Sequence, residues 1–275
     1  MENKIAILYD FDDTLSSKCM QEFGLFENLG LTDNFFEESA SEASKKGADR
    51  ILNYLYNLGR MINKKGYKRE DIVKFGKDIE FFPGVLTWFE RINNFGKRHN
   101  IEVEHYIVSS GQKELIEGCP IAKYFKKIFA CEYMYNEDGS VSWPKVFVNY
   151  TNKTQFIFRI SKGVLDISDD SINDVMDQSL RSVSYENMIY VGDGYTDVPC
   201  MKVVKEKNGL ALAVYTERNR DLVENLFLNG RVNNFHYADY SEGSDMEIEV
   251  KGFILRAEQK MNKKSNQWIF IQNFV

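Results

Sequence analysis

Hydrophobic residues along this chain gather in short runs. "KIAILYD", "VEHYIVSS", "KIFACEYMY", "NMIYVGD" and "GLALAVY" are each rich in Val, Ile, Leu and Tyr, and each ends in polar or Gly residues. Runs of this kind predict buried strands. Between most of them the period changes to that of a helix. "FFPGVLTWFERINNFGKRHN" has Pro near its start and apolar residues at helical spacing, and "YTERNRDLVENLFLNG" stops at Gly230. Strands alternating with helices predict an α/β fold, a Rossmann-like parallel sheet flanked by helices. The carboxyl ends of the strands then share one edge, where open sheets of this kind bind ligands.

The alternation breaks early. Residues 16–81 carry helical patterns and no convincing strand, and in "ADRILNYLYNLGRMINKKG" the residues Ile51, Leu55, Leu58 and Ile62 line one helical face. We therefore expect a helical cap domain at 16–81, inserted after the first strand into an α/β core built from 1–15 and 82–275. Charge within the cap is uneven: residues 21–44 hold six acids and no Lys or Arg, whereas 45–69 hold eight Lys and Arg against Asp49 alone. Two readings stay open, a basic surface for an anionic substrate and a solvated helix face. Further on, "CEYMYNEDGSVSWPKVFV" predicts a β-hairpin turning at Asp138-Gly139, a flap or extension of the core. "GVLDISDDSINDVMDQSLRSVSYEN" reads as a surface insertion of loop and short helix.

Composition narrows the function classes. With 275 residues and 43% hydrophobic content the chain can bury a sizeable core without a staple. Cys19, Cys119, Cys131 and Cys200 are scattered with no C-x-x-C pair, so neither a zinc site nor a disulfide framework is expected. No apolar run approaches a membrane span, and "MENKIAILYD" enters a strand directly, so a cytoplasmic protein with no membrane partner is expected. A net charge of -6 argues against general nucleic-acid binding. A small anionic substrate stays accessible if a cation neutralises it.

The candidate chemistry lies at the strand ends. In "ILYDFDDTLSSK", Asp10, Asp12 and Asp13 crowd together just past the first strand. A carboxylate there can act as nucleophile and one two residues on as general acid and base. Attack on a phosphate meets like-charge repulsion of about 4 kcal/mol per charge pair at about 4 Å and an effective dielectric near 20, so a cation is required. "YVGDGYTDVPC" places Asp193 and Asp197 after another apolar run. If the two strands are neighbours, Asp10, Asp193 and Asp197 converge on an all-oxygen site of the kind Mg²⁺ prefers. "YIVSSGQK" supplies Ser109, Ser110 and free backbone N–H groups at a helix start, a cradle for an anion. Lys153 opens the helical pattern "NKTQFIFRISKG", with Lys162 closing it and Lys145 nearby. Asp13 reads as a turn residue. His99, His105 and His236 have no partner spacing and read as surface or satisfied histidines. Phe35-Phe36 and Phe81-Phe82 read as packing.

Taken in order, "DFDDTL", "IVSSG", Lys153 and "GDGYTD" resemble the four motifs of the haloacid dehalogenase-like (HAD) superfamily, over roughly residues 4–215. The resemblance implies that Asp10 is the nucleophile and a Mg²⁺ ligand. It implies that Asp12 protonates the leaving oxygen, later activates water, and offers its backbone carbonyl to the metal. Thr14 would orient that loop, Ser109, Ser110 and Lys153 would bind the phosphoryl group, and Asp193 would ligate Mg²⁺ with Asp197 helping directly or through water. An Asp at position 12 resembles phosphate-ester members of the superfamily rather than dehalogenases or phosphonatases. The cap and hairpin insertions resemble its phosphoserine phosphatase-like subgroup. The implied activity is Mg²⁺-dependent hydrolysis of a small phosphorylated metabolite through an aspartyl-phosphate. Phosphotransfer or mutase activity, or phosphate binding without catalysis, are the alternatives. The segment "SSKCMQE" departs from the subgroup: where a substrate-binding Glu is expected stands Cys19, with Glu22 three residues later. Specificity for a serine phosphate is therefore not predicted.

Overall fold

From Ile5 on, every residue of β1 (Lys4–Tyr9) is buried. A strand covered on both faces belongs in the middle of a sheet. The computed structural model describes residues 3–272, with side chains as far as 262. The other strands are β2 (Glu102–Gln112), β3 (Phe125–Tyr135), β4 (Val141–Val146), β5 (Met188–Gly192), β6 (Leu210–Tyr215) and β7 (Asn234–Tyr237). They form one sheet in the order β4-β3-β2-β1-β5-β6-β7, parallel except where β4 returns antiparallel along β3. All five apolar runs are strands, and the expected hairpin is β3–β4. β7 adds an edge strand that lacks a fully buried residue.

After β1 the chain builds β2 and β3 on one side and later β5, β6 and β7 on the other. The strand order thus reverses between β1 and β5, which opens a crevice at their carboxyl ends. Register aligns the ends: Tyr9 pairs with Ile107 of β2 and with Val191 of β5. Asp10, Ser109 and Asp193 therefore all lie one or two residues past the same line across the sheet.

Between β1 and the next long helix the chain is helical, with one turn at Met20–Glu22 followed by α1 (Leu25–Leu29), α2 (Phe35–Lys46), α3 (Arg50–Lys64) and α4 (Arg69–Phe75). The two segments joining this region to the core pair with each other, Ser17 N–H donating to Glu80 O at 3.1 Å and Phe82 N–H to Leu15 O at 3.0 Å. Asp49 caps α3 by accepting from Leu52 N–H at 2.9 Å. The stripe of α3 faces inward, with Leu55, Leu58 and Ile62 buried and Ile51 at its margin. Of the basic residues, Lys46 and Arg50 pair with Glu42 and Glu37 of the acidic stretch and Lys68 and Arg69 with Asp138 and Glu117 beyond it, largely exposed pairs that fit a solvated face. The hairpin, expected as a flap or extension of the core, extends the sheet and is the platform on which the cap rests. Asn63 of α3 donates to Val141 O at 2.7 Å and accepts from Val141 N–H at 2.8 Å, and Tyr133 OH donates to Leu55 O at 2.7 Å.

The remaining helices cover the sheet: α5 (Val85–Arg98), the short α6 (Lys113–Gly118), α7 (Thr154–Lys162), α8 (Val198–Glu206), α9 (Arg220–Leu228) and α10 (Asp245–Gln272). α5 packs on β2, α8 on β5 and β6, and α10 on α5 and β7. The insertion after α7 is loop with single helical turns, and it is tied down by Arg159, which donates to the carbonyls of Asp166 at 2.6 Å and Ile167 at 2.9 Å. Each histidine is partnered, His99 by Glu258, His236 by Glu249 and His105 by Tyr9 and Asn93. The four cysteines are free. Among the described residues no helix is long and apolar enough to cross a membrane.

Candidate active site

Asp10 leaves β1 with its N–H still bonded to Val191 O at 2.9 Å, so the sheet fixes its main chain as the side chain enters the crevice. From β5, Gly192 leads into Asp193 and a turn that returns Asp197 beneath it. Only glycine fits at 192, because a Cβ there would lie 2.5 Å from Asp197 Cγ. Asp10, Asp193 and Asp197 each bring a carboxylate oxygen within 4.8 Å of the others. Lys153, fully buried at the start of α7, stands 3.1 Å from Asp10 Oδ1 and 2.8 Å from Asp197 Oδ1. Of the lysines considered, Lys153 is the one in the site. Lys162 donates to backbone carbonyls at Ile172 and Asp174, and Lys145 pairs with Glu132.

Asp197 is saturated. Its Oδ1 accepts from Lys153 and from Tyr190 OH at 2.7 Å, and its Oδ2 from the N–H groups of Asp193 at 3.3 Å and Gly194 at 3.4 Å. Asp10 Oδ1 is different: it is buried 3.1 Å from the Lys153 ammonium without an aligned hydrogen bond, which leaves lone pairs for a further ligand. Carboxylate chemistry and that incompletely bonded oxygen would fit a hard divalent ion held by Asp10 and Asp193.

Electrostatics point the same way. Burial, then the charge of Asp197, raises the Asp10 carboxyl to about 7 against the pull of Lys153. Burial and the neighbouring Asp197 and Asp10 push Asp193 well above the usual carboxylate range. Burial and the Asp10 charge do the same for Asp12. One buried ammonium faces several carboxylates, so each is more readily protonated, and a further cation would relieve the same excess charge. Burial alone would lower Lys153, but Asp10 and Asp197 outweigh it and hold the amine charged.

Asp12 Oδ1 accepts from Met20 N–H at 2.7 Å. Thr14, fully buried, donates to Asp193 Oδ1 at 3.5 Å, and its carbonyl accepts from Tyr240 OH at 2.8 Å. Asp13 is more than a turn residue. Its backbone is left-handed at φ +53, and its Oδ1 accepts from Arg218, which also donates to Ser17 O at 2.7 Å.

Ser109 lies buried at the end of β2 with its Oγ accepting from Gly111 N–H at 2.9 Å, which leaves the hydroxyl proton for an anion. Ser110 Oγ is buried without a partner. The expected cradle of free backbone N–H groups is corrected in part. Gly111 N–H is taken by Ser109, Gln112 N–H by Met20 Sδ at 3.2 Å, and α6 has only six residues, so its dipole adds little.

Tyr190, Met20, Arg218 and Asn219 were not legible as site residues. Asn219 Nδ2 donates to Asp193 O at 3.1 Å and so holds the acidic turn from the β6–α9 loop. Tyr190 reads in sequence as one more apolar strand residue, and Arg218 acts across 205 positions.

No protein-family model matches the chain. An uncharacterized protein of Borreliella burgdorferi is 28% identical over 89% of this chain and 94% of its own length. Among solved structures, a phosphoserine phosphatase captured as an analogue of its phospho-aspartyl intermediate aligns at 17% identity and TM-score 0.55, over 90% of this chain and 98% of its own. A HAD family hydrolase of Salmonella enterica serovar Typhi aligns at 18% identity and TM-score 0.54, over 80% of this chain but only 65% of that protein. The mostly parallel, helix-flanked sheet thus has the fold of these structures, haloacid dehalogenase-like in its phosphoserine phosphatase-like form.

Proposed function

We propose that this protein is a Mg²⁺-dependent phosphatase that hydrolyses a small phosphomonoester through an aspartyl-phosphate, with residues 16–81 as the cap over the site. The observation that carries this reading is the meeting of Asp10, Lys153 and Asp193 at the β1–β5 crevice, with Asp12 alongside. Asp10 and Asp193, with the Asp12 carbonyl, would hold the ion, which when bound screens the nucleophile from the phosphate and stabilises charge on the transferring group. Asp197, its oxygens already engaged, contributes charge or a water contact from behind.

In the first half-reaction an Asp10 oxygen bonds to phosphorus as the bond to the leaving oxygen breaks, and Asp12 gives its proton to that oxygen. Lys153 and the hydroxyls of Ser109 and Ser110 bind the phosphoryl oxygens. In the second, Asp12, now a carboxylate, takes a proton from water as the water oxygen bonds to phosphorus and the Asp10–phosphorus bond breaks. The raised carboxyl of Asp12 suits an acid that must be protonated at the start. A loose transition state of this kind is served mainly by positioning and charge.

The test is phosphate release from p-nitrophenyl phosphate with Mg²⁺ and with chelator. Turnover is expected only with the metal, and Asp10→Asn is expected to lower it by at least about a thousandfold. Undiminished turnover in a clean Asp10→Asn preparation would remove the nucleophile assignment.

A further inference from the structure

Met20 is the first residue of the cap's first turn, and it is 1% exposed. Its main chain and its side chain point to different parts of the site. The N–H donates to Asp12 Oδ1 at 2.7 Å. The sulfur accepts from Gln112 N–H at 3.2 Å, at the end of the Ser109–Ser110 segment. The methyl occupies the space that a side chain at Gly111 would need: a Cβ there would lie 2.0 Å from Met20 Cε and 3.0 Å from Asp12 Oδ2. Asp12 Oδ2 therefore lies beside the Met20 methyl over Gly111, next to the Ser109–Ser110 segment, while Oδ1 is held by the Met20 N–H.

Packing alone does not account for methionine here. Leucine would fill much of the same volume, but it has no acceptor, and Gln112 N–H is buried. An unpaired buried N–H costs about 1–3 kcal/mol. The thioether is a weak acceptor on a flexible stem, able to fill the gap and accept the bond together.

We propose that Met20 is a positioning residue for proton delivery: its thioether, seated on Gln112 N–H over Gly111, holds its own N–H against Asp12 Oδ1 and so aims Oδ2 at the leaving-group oxygen. This rests on the phosphatase reading, in which Asp12 is the acid. The seating of the cap and the aim of the acid are then one event, made by one residue. A general acid matters most when the leaving alcohol is a poor one, so the effect of losing Met20 depends on the substrate's leaving group.

The experiment compares kcat/KM for p-nitrophenyl phosphate with kcat/KM for a simple alkyl phosphate. In Met20→Ala the ratio of the first to the second is expected to rise by about tenfold or more, since a misplacement of about 1 Å can cost a hundredfold. Met20→Leu, which restores volume without the acceptor, falls between that variant and wild type. Leu29→Ala, a truncation at a buried position of α1, is expected to keep the wild-type ratio. A Met20→Ala ratio within about twofold of wild type, or an equal rise in Leu29→Ala, overturns the proposal.

A second readout needs no turnover. The residue-20 amide is expected to exchange with solvent about tenfold faster in Met20→Ala, and the Met20 amide resonance is expected to shift in Asp12→Ala. A wild-type exchange rate at residue 20 in Met20→Ala overturns the inference whatever the activity. If wild-type protein turns over no phosphomonoester, the phosphatase reading falls, and the exchange measurement still decides whether Met20 anchors Asp12.

Discussion

Lys153 is a fully buried cation between two carboxylates, and its stability effect depends on all three. Removing one partner of a buried ion pair leaves a charge in low dielectric, a loss of about 3–5 kcal/mol. Lys153→Met is therefore expected to lower the unfolding free energy by about 3 kcal/mol at neutral pH in chelator, read as a drop in the urea midpoint. A midpoint unchanged by the substitution would mean that Asp10 and Asp197 are not charged together. The carboxylates were legible in sequence because an acid directly after an apolar strand is conspicuous. Lys153 was marked by its place opening a helical pattern, less sharply than the acids because Lys145 and Lys162 lie nearby and a cation that opens a helix looks like any other until the carboxylates are placed. Tyr190, by contrast, contributes a single hydroxyl to Asp197 from inside a strand, and nothing local marks it.

Among the elements, the β3–β4 hairpin and α3 depend on each other. Asn63 satisfies both the N–H and the carbonyl of Val141, so the cap's longest helix continues the hydrogen bonding of an edge strand through a side chain. Asn63→Ala removes both bonds and is expected to cost about 1–2 kcal/mol locally. Faster amide exchange across Arg50–Lys64, with β1 and β5 protected as before, is the expected sign. Uniform exchange would show that the cap does not open on its own. The apolar runs gave the strands in their places, and the hairpin was visible from its Asp-Gly turn. What the runs did not contain was β7, three of whose residues are partly buried and the fourth exposed, nor the role of the hairpin as a platform, since Asn63 and Val141 are 78 positions apart.

At the scale of the whole molecule, stability depends on a buried chain of hydrogen bonds through the core. Trp88 Nε1 donates to Tyr9 OH at 2.8 Å, Tyr9 OH is 3.1 Å from His105 Nδ1, and His105 Nε2 is 3.0 Å from Asn93 Oδ1. The indole can only donate, so the run Trp88 to Tyr9 to His105 to Asn93 fits a neutral imidazole with its proton on Nε2. Burial lowers the His105 pKa to about 3. Below the usual value near 6.5 the unfolded chain binds a proton that the folded one refuses, so this contribution to stability is full above that pH. It falls by about 1.4 kcal/mol per pH unit as the pH drops toward 3. His105→Gln is expected to flatten that part of the stability profile, measured as urea midpoints between pH 7 and 4, and parallel profiles would refute the assignment. The position of β1 carries one more consequence. Its second neighbour, β5, begins only at Met188. A growing chain therefore makes this buried strand early and leaves one edge of it open until synthesis has passed Met188, with Asp10 already in place but Asp193 not yet made. Open apolar edges invite pairing with other chains. Biosynthesis is thus the stage at which this architecture is most exposed to misassembly, and a chain cut short before Met188 inherits that exposure permanently.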